Sequence, residues 1–188
     1  MATIDVFDAV EIKNASILPK GATITEPYGC IGKLDAETEI KSISKICGGV
    51  TTKKKSKPTQ MTITISGHMQ LSALRKIFGI TNEGLITDVY AYGVDSVGDD
   101  FAFVAEEYDT FEDNTRLIAF PNCSSATGFV KSTENGADEL AEFEAEITAL
   151  PDAYGKFYYE GVNLPTDVAT KWMTQFDPSE LQKPPVTP

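Results

Sequence analysis

Glu142-Phe143-Glu144-Ala145-Glu146-Ile147-Thr148-Ala149-Leu150 alternates without a break. Phe143, Ala145, Ile147 and Ala149 fall on one side, and Glu142, Glu144, Glu146 and Thr148 on the other. A period of two sends successive side chains to opposite faces of a strand, so this stretch reads as a strand with one dry face and one wet face. Met61-Thr62-Ile63-Thr64-Ile65-Ser66 repeats the pattern, with Met61, Ile63 and Ile65 on the apolar side. Working outward, further strands are predicted at 9–17, 28–34, 39–46, 85–92, 100–106, 115–120 and 156–161, separated by turn-forming residues such as Pro19-Lys20-Gly21 and Pro151-Asp152-Ala153-Tyr154-Gly155.

Two segments break this rhythm. Over 69–78, Leu71, Leu74, Ile77 and Phe78 recur at helical spacing, and Gly79 suits the left-handed position that closes a helix. A second, shorter helix is predicted after Pro165, with Thr166 as its N-cap and Asp167 in the first turn, where the helix dipole favours an anion. Val168, Trp172 and Phe176 lie four apart on one stripe of it, and Asp177-Pro178 ends it. The fold class that follows is mainly β: an antiparallel β-sandwich or barrel with one packed helix, a short C-terminal helix and extended terminal arms. At 188 residues the chain suits a single domain, read here as 1–178, with 179–188 as a proline-rich C-terminal arm.

Between the strands at 39–46 and 61–66 lies Thr51-Thr52-Lys53-Lys54-Lys55-Ser56-Lys57-Pro58, four lysines in a chain of net charge −12. The expectation is a hairpin whose connection is a long basic loop, 47–60, rather than a two-residue turn, with Gly48-Gly49 as hinge material. Connections this long are uncommon unless they are functional or flexible. No aromatic residue interleaves the lysines to stack on bases, so the loop reads poorly as a nucleic-acid site. A projecting basic loop on an acidic body points instead to contact between subunits, although single exposed ion pairs contribute only about 0–1 kcal/mol and such a contact needs many of them or backbone pairing.

The remaining composition excludes more than it assigns. A pI of about 4.5 disfavours binding to phosphate backbones, which depends on Lys and Arg. No run approaches the roughly 18 apolar residues of a membrane span, and Met1-Ala2-Thr3-Ile4-Asp5-Val6-Phe7-Asp8 lacks the basic start and apolar stretch of a signal peptide. Cys30, Cys47 and Cys123 are odd in number and show no metal-type spacing, so they are expected to be reduced, mostly buried thiols. The triplets Asn14-Ala15-Ser16 and Asn122-Cys123-Ser124 read as chance matches to glycosylation sites.

No catalytic residue, cofactor-binding motif or metal site emerges. His68 is the single histidine, which excludes His-pair metal motifs, and no nucleophile elbow, phosphate-binding loop or dinucleotide fingerprint occurs. The acidic run from 99 to 113 lacks the spacing of a calcium loop and reads as a solvated segment or a docking face for the lysine loop. The row of Glu142, Glu144 and Glu146 reads either as an ordinary solvent face or as a surface that stays wet and does not hold DNA.

The order of elements resembles a known family. A hairpin with a long basic loop precedes Met61-Thr-Ile-Thr-Ile-Ser-Gly67, the helix Leu71-Ser-Ala-Leu-Arg-Lys-Ile-Phe-Gly79 follows directly, and Glu142-Phe-Glu-Ala-Glu-Ile-Thr-Ala-Leu-Pro-Asp-Ala-Tyr-Gly-Lys-Phe-Tyr-Tyr-Glu-Gly161 and Trp172 come later. This is similar to the major tail protein, or tail tube protein, of long non-contractile-tailed bacteriophages, over roughly 9–176. The resemblance implies a non-enzymatic virion protein, assembled in the host cytoplasm. Its subunits would form hexameric rings whose sheets join around a lumen, and the rings would stack into a tube that conducts double-stranded DNA without binding it. Its partners would be copies of itself and other tail proteins (tape measure, tail tip and tail terminator). Carried onto this chain, Lys53, Lys54, Lys55 and Lys57 become inter-ring contacts, and Glu142, Glu144 and Glu146 the lumen wall. The alternative is a β-sandwich module binding carbohydrate or protein on a virion or cell surface, with Tyr154, Phe157, Tyr158 and Tyr159 as its aromatic platform.

Overall fold

A computed structural model of the protein describes residues 6–131 and 142–183. Eight strands form one antiparallel sheet: β1 (Glu11–Pro19), β2 (Glu26–Pro27), β3 (Gly29–Cys47), β4 (Val50–Met69), β5 (Phe101–Asp109), β6 (Asn114–Ser125), β7 (Phe143–Ala149) and β8 (Tyr159–Val162). The path runs β2-β1-β5-β6-β7-β4-β3, with β8 paired to β6 beside β7. The mainly β, antiparallel architecture read from the sequence is the one observed.

The first and last strands of that path are separated in sequence by Tyr28 alone. Its N–H donates to the Ala15 carbonyl of β1 (2.9 Å), and its carbonyl accepts from the Gln70 N–H at the end of β4 (2.7 Å). One segment therefore hydrogen-bonds to both ends of the sheet, and the sheet returns upon itself as a barrel with its seam at Tyr28. Closure removes the exposed edges that an open sheet would leave there.

The inner face is apolar. Ile17, Ile63, Ile65, Phe103, Phe120, Ala145 and Ile147 are buried together with Tyr28. Helix α1 (Leu71–Phe78) adds Ala73, Ile77 and Phe78 to the same core and ends at Gly79, which holds the left-handed conformation (φ 65°) expected of it. The outer face of β5 and β6 is covered as well. Ala102, Val104, Leu117 and Ala119 lie beneath Trp172 and Phe176, brought there by helix α2 (Thr166–Thr174). Because both faces are buried, these strands read as continuous apolar runs, Phe101-Ala-Phe-Val-Ala105 and Leu117-Ile-Ala-Phe120. Thr166 is the first helical residue rather than the N-cap, a position held by Pro165.

Several local expectations are corrected. The predicted strands at 28–34 and 39–46 are one continuous strand, β3. The strand predicted to stop before Pro121 continues to Ser125, because Pro121 lies at a register shift between the pairs Phe103↔Phe120 and Phe101↔Cys123, where no ladder donor is required. The strand predicted at 85–92 is a loop. It is tied by one bridge, Thr81↔Ala91, and by the Asn82 side-chain amide donating to the Ile86 carbonyl (2.9 Å), while Leu85, Ile86 and Val89 stay exposed. Beyond that bridge, its alternating residues have no neighbouring strand among the described residues to pair with. Cys30 and Cys47 are exposed and only Cys123 is buried, so the expectation of mostly buried thiols fails. Pro178–Leu181 form a 3-10 helix, with Leu181 against the Trp172 cluster; residues 184–188 of the expected C-terminal arm lie outside the described residues.

Candidate functional site

The lysine stretch is not a loop. β3 and β4 pair continuously from Gly29↔Met69 to Cys47↔Val50, and Gly48-Gly49 alone makes the turn. Both glycines have positive φ (60° and 79°), as a type I′ hairpin turn requires. β7 pairs with β4 only over Met61–Gly67, so beyond Gln60 the two strands have no neighbour among the described residues. Residues 39–59 are exposed throughout and form a two-stranded arm about 30 Å long. The expected basic loop at 47–60 is thus corrected to a tight turn at the tip of this arm, with the lysines on its shaft.

Register sorts the lysines by face. The pairs Lys41↔Lys57, Ile43↔Lys55 and Lys45↔Lys53 lie on one face, and Ile40↔Pro58, Ser42↔Ser56 and Ser44↔Lys54 on the other. Lys53, Lys55 and Lys57 are therefore joined by Lys41 and Lys45 from the facing strand, while Lys54 points away. The lysine face lines an open groove of about 680 Å³. Ser42 and Ser56 hydroxyls bond across the opposite face (2.8 Å). Residues 40–58 carry six lysines and no acid, so they hold +6 of the chain's −12 and the remainder holds −18.

The same face of the same two strands is acidic at its other end. Below the arm, Asp35 pairs with Thr64 and Thr64 with Glu146, and Lys33 pairs with Ser66 and Ser66 with Glu144. Glu37 and Thr62 follow in register with Thr148. Glu144 and Glu146 project outward from β7, opposite the buried Ala145 and Ile147. Glu142 is exposed and lies over Gly32, where an added Cβ would come within 2.9 Å of its carboxylate. Lys33 is the cation of this face. Its ion pair with Asp35, helped by the charge of Glu144, raises the pKa of its ammonium group. No helix covers these strands among the described residues; α2 packs on the far side, over β5 and β6.

Several acids of the run at 99–113 are engaged locally. Asp100 is paired with Lys20 (2.9 Å) and Glu107 with Arg116 (2.6 Å). Asp109 is buried. Burial opposes its charge, but N–H groups of Asp8, Phe111 and Glu112 donate to its carboxylate and hold its pKa below the usual carboxylate value. Asp109 braces the β5–β6 turn, while Asp99, Glu112 and Asp113 stay exposed, as a solvated segment would have them. Among the described residues no group of three or more His, Cys, Asp or Glu side chains is arranged to hold a metal. His68 lies exposed near the end of β4.

The aromatic platform is not assembled either. Tyr154 is exposed, but Tyr158 packs on Phe120 and Tyr159 on Phe176, with the Tyr159 hydroxyl donating to Asp152 (2.6 Å). Lys41, Lys45, Asp35 and Glu37 were not singled out from the sequence. Counting the register outward from a Gly48-Gly49 turn finds all four.

No protein-family model matches the chain, and no curated protein sequence matches it. Among solved structures the chain is similar to the cryo-EM structure of the anti-feeding prophage cap, a tube-terminating cap. The TM-score is 0.42 and the identity 11%, over 87% of this chain and 97% of that one. A likeness at this level assigns neither activity nor partners to this chain.

Proposed function

We propose that this protein is a structural subunit of a phage tail, without enzymatic activity, which assembles into stacked, hexameric rings that form the tail tube through which the genome leaves. The observation that carries the reading is the arm: a ribbon with no partner strand among the described residues, projecting about 30 Å from a closed barrel and opposite in charge to it. An isolated two-stranded hairpin is marginally stable in water, so an arm this long makes sense as half of an interface. Lys53, Lys54, Lys55 and Lys57, with Lys41 and Lys45, serve as inter-ring contacts. Glu142, Glu144 and Glu146, with Asp35 and Glu37, serve as the lumen wall. A duplex carrying one charge per about 1.7 Å slides past a wall of like charge instead of adhering to it. The other tail components (tape measure, tip and terminator) are the partners at the ends of the tube.

Negative-stain electron microscopy across a concentration series, with and without a tail-tip initiator, tests this reading. Rings or tubes with a central hole are expected. A compact particle at every concentration, in the presence of initiator, would refute it.

A further inference from the structure

The arm and the acidic sheet face lie on one side of one continuous ribbon, with Glu39↔Gln60 between them. Going toward the barrel from that level, the outward residues are Glu37, Asp35 and Lys33; going toward the tip, they are Lys41, Ile43 and Lys45. The alternation of β3 is unbroken here, because the register shift at this point leaves the extra residue, Thr59, on β4. A ribbon that is negative at one end and positive at the other on a single face is complementary to itself under a two-fold rotation. Placing the axis at Glu39, in the plane between two facing copies, brings the level of residue 41 opposite 37, 43 opposite 35, and 45 opposite 33.

We infer that the unassembled protein forms a reciprocal two-fold dimer in which the lysine face of each arm lies on the acidic face of β3, β4 and β7 of the other copy. Lys41 then meets Glu37. Lys55 reaches Glu146 and Lys53 reaches Glu144, each one strand over, a step of about 4.8 Å that a lysine side chain spans. Ile43 and the aliphatic stems of the lysines supply the apolar floor of the groove that receives these carboxylates. Two levels are like-charged: Lys45 faces Lys33, which Asp35 already pairs, and Glu39 faces its own copy on the axis. The three opposite-charge contacts, each made twice by symmetry, outnumber the Lys45–Lys33 repulsion, also made twice, and the single Glu39 contact on the axis. Face-to-face sheets pack about 10 Å apart with strands near-aligned, which two such ribbons satisfy along the whole arm.

The consequence goes beyond the proposed tube. The dimer covers the lysine face of the arm and the acidic face of both copies at once, so a subunit held this way hides most of its inter-ring contact, all but Lys54, together with Glu144 and Glu146 of its lumen wall. Assembly exchanges the partner's arm for the next ring.

Sedimentation velocity tests the dimer, and electron microscopy of tubes tests the proposed function separately, so either can fail alone. The wild-type protein is expected to sediment as a dimer in 50 mM NaCl, with its Kd weakened at least tenfold in 500 mM NaCl as charges are screened. K53E/K55E and E144K/E146K are each expected to be monomeric, with unchanged far-UV circular dichroism because all four side chains are exposed. Mixed in equal amounts, they are expected to form a closed heterodimer, since both contacts again join opposite charges. A wild-type monomer at low salt, or no association in the mixture, would overturn the contact. Open-ended chains in the mixture would overturn its two-fold symmetry.

Discussion

Trp172→Ala is expected to cost about 3–5 kcal/mol of folding stability, the usual range for truncating a buried large aromatic. The side chain is 4% exposed, packs edge-to-face on Phe176 at 5.1 Å, and closes the outer face of β5 and β6 over Val104 and Ala119. Its indole N–H donates to the Ile118 carbonyl at 3.2 Å. An indole buries roughly 150–250 Å², worth about 4–6 kcal/mol at 25 cal/mol per Å², and part of that returns as the site relaxes. Trp172→Phe separates the terms: it keeps most of the packing, drops the hydrogen bond, and is expected to cost about 1–2 kcal/mol. Both variants lack the protein's single tryptophan. Urea unfolding must therefore be followed by far-UV circular dichroism, comparing midpoints at constant slope. If Trp172→Ala unfolds within about 1 kcal/mol of wild type, α2 is not docked on this face, and the doubly buried reading of β5 and β6 is wrong.

Three other outcomes follow from individual side chains. The Tyr28 hydroxyl is buried with no partner among the described residues, and burial pushes its pKa far up, so Tyr28→Phe is expected to be neutral or to stabilise by about 1 kcal/mol in thermal unfolding, whereas a clear loss would mean the hydroxyl is satisfied. Asp109 has its pKa lowered from 3.8 in the folded state, so the unfolded chain binds the proton more readily; its stabilisation is present above that value and is lost as pH falls through the folded value. The difference in Tm between wild type and Asp109→Asn should accordingly shrink below about pH 4, and a difference constant with pH would contradict the network. Under native conditions a thiol reagent should titrate Cys30 and Cys47 at once and Cys123 only on unfolding, since burial also pushes the Cys123 thiol up; three fast thiols would place Cys123 at the surface.

What the sequence made legible was whatever has a dry side. β7 and the barrel half of β4 alternate because Ala145, Ile147, Ile63 and Ile65 must be buried while their neighbours are not. The first helix was readable from Leu74, Ile77 and Phe78 and from Gly79 at its end. The β4 half of the arm, 50–60, was not readable this way, because a free ribbon buries neither face and its residues have no reason to alternate in polarity. Pro58 and four clustered lysines argued against a strand, yet pairing across to β3 from a two-glycine turn is enough to hold one. The loop at 85–92 failed in the opposite direction: Leu85, Ile86 and Val89 have the composition of a strand but no neighbour among the described residues to pair with. For the site, reading Lys53 to Lys57 as one cluster obscured the two faces, since adjacent residues on a strand point apart.

The seam at Tyr28 has a mechanical meaning. Tension applied at the Gly48-Gly49 tip runs down β3 and β4 along their own axes. It enters the barrel through the β4–β7 ladder, from Met61↔Ala149 to Gly67↔Phe143, and through the backbone hydrogen bonds that Tyr28 makes to Ala15 and Gln70. Those bonds lie across the pull, so they are loaded in shear and must yield together instead of one after another. An arm anchored in this way works as a tie rod, and a force on its tip is carried by the whole wall of the barrel.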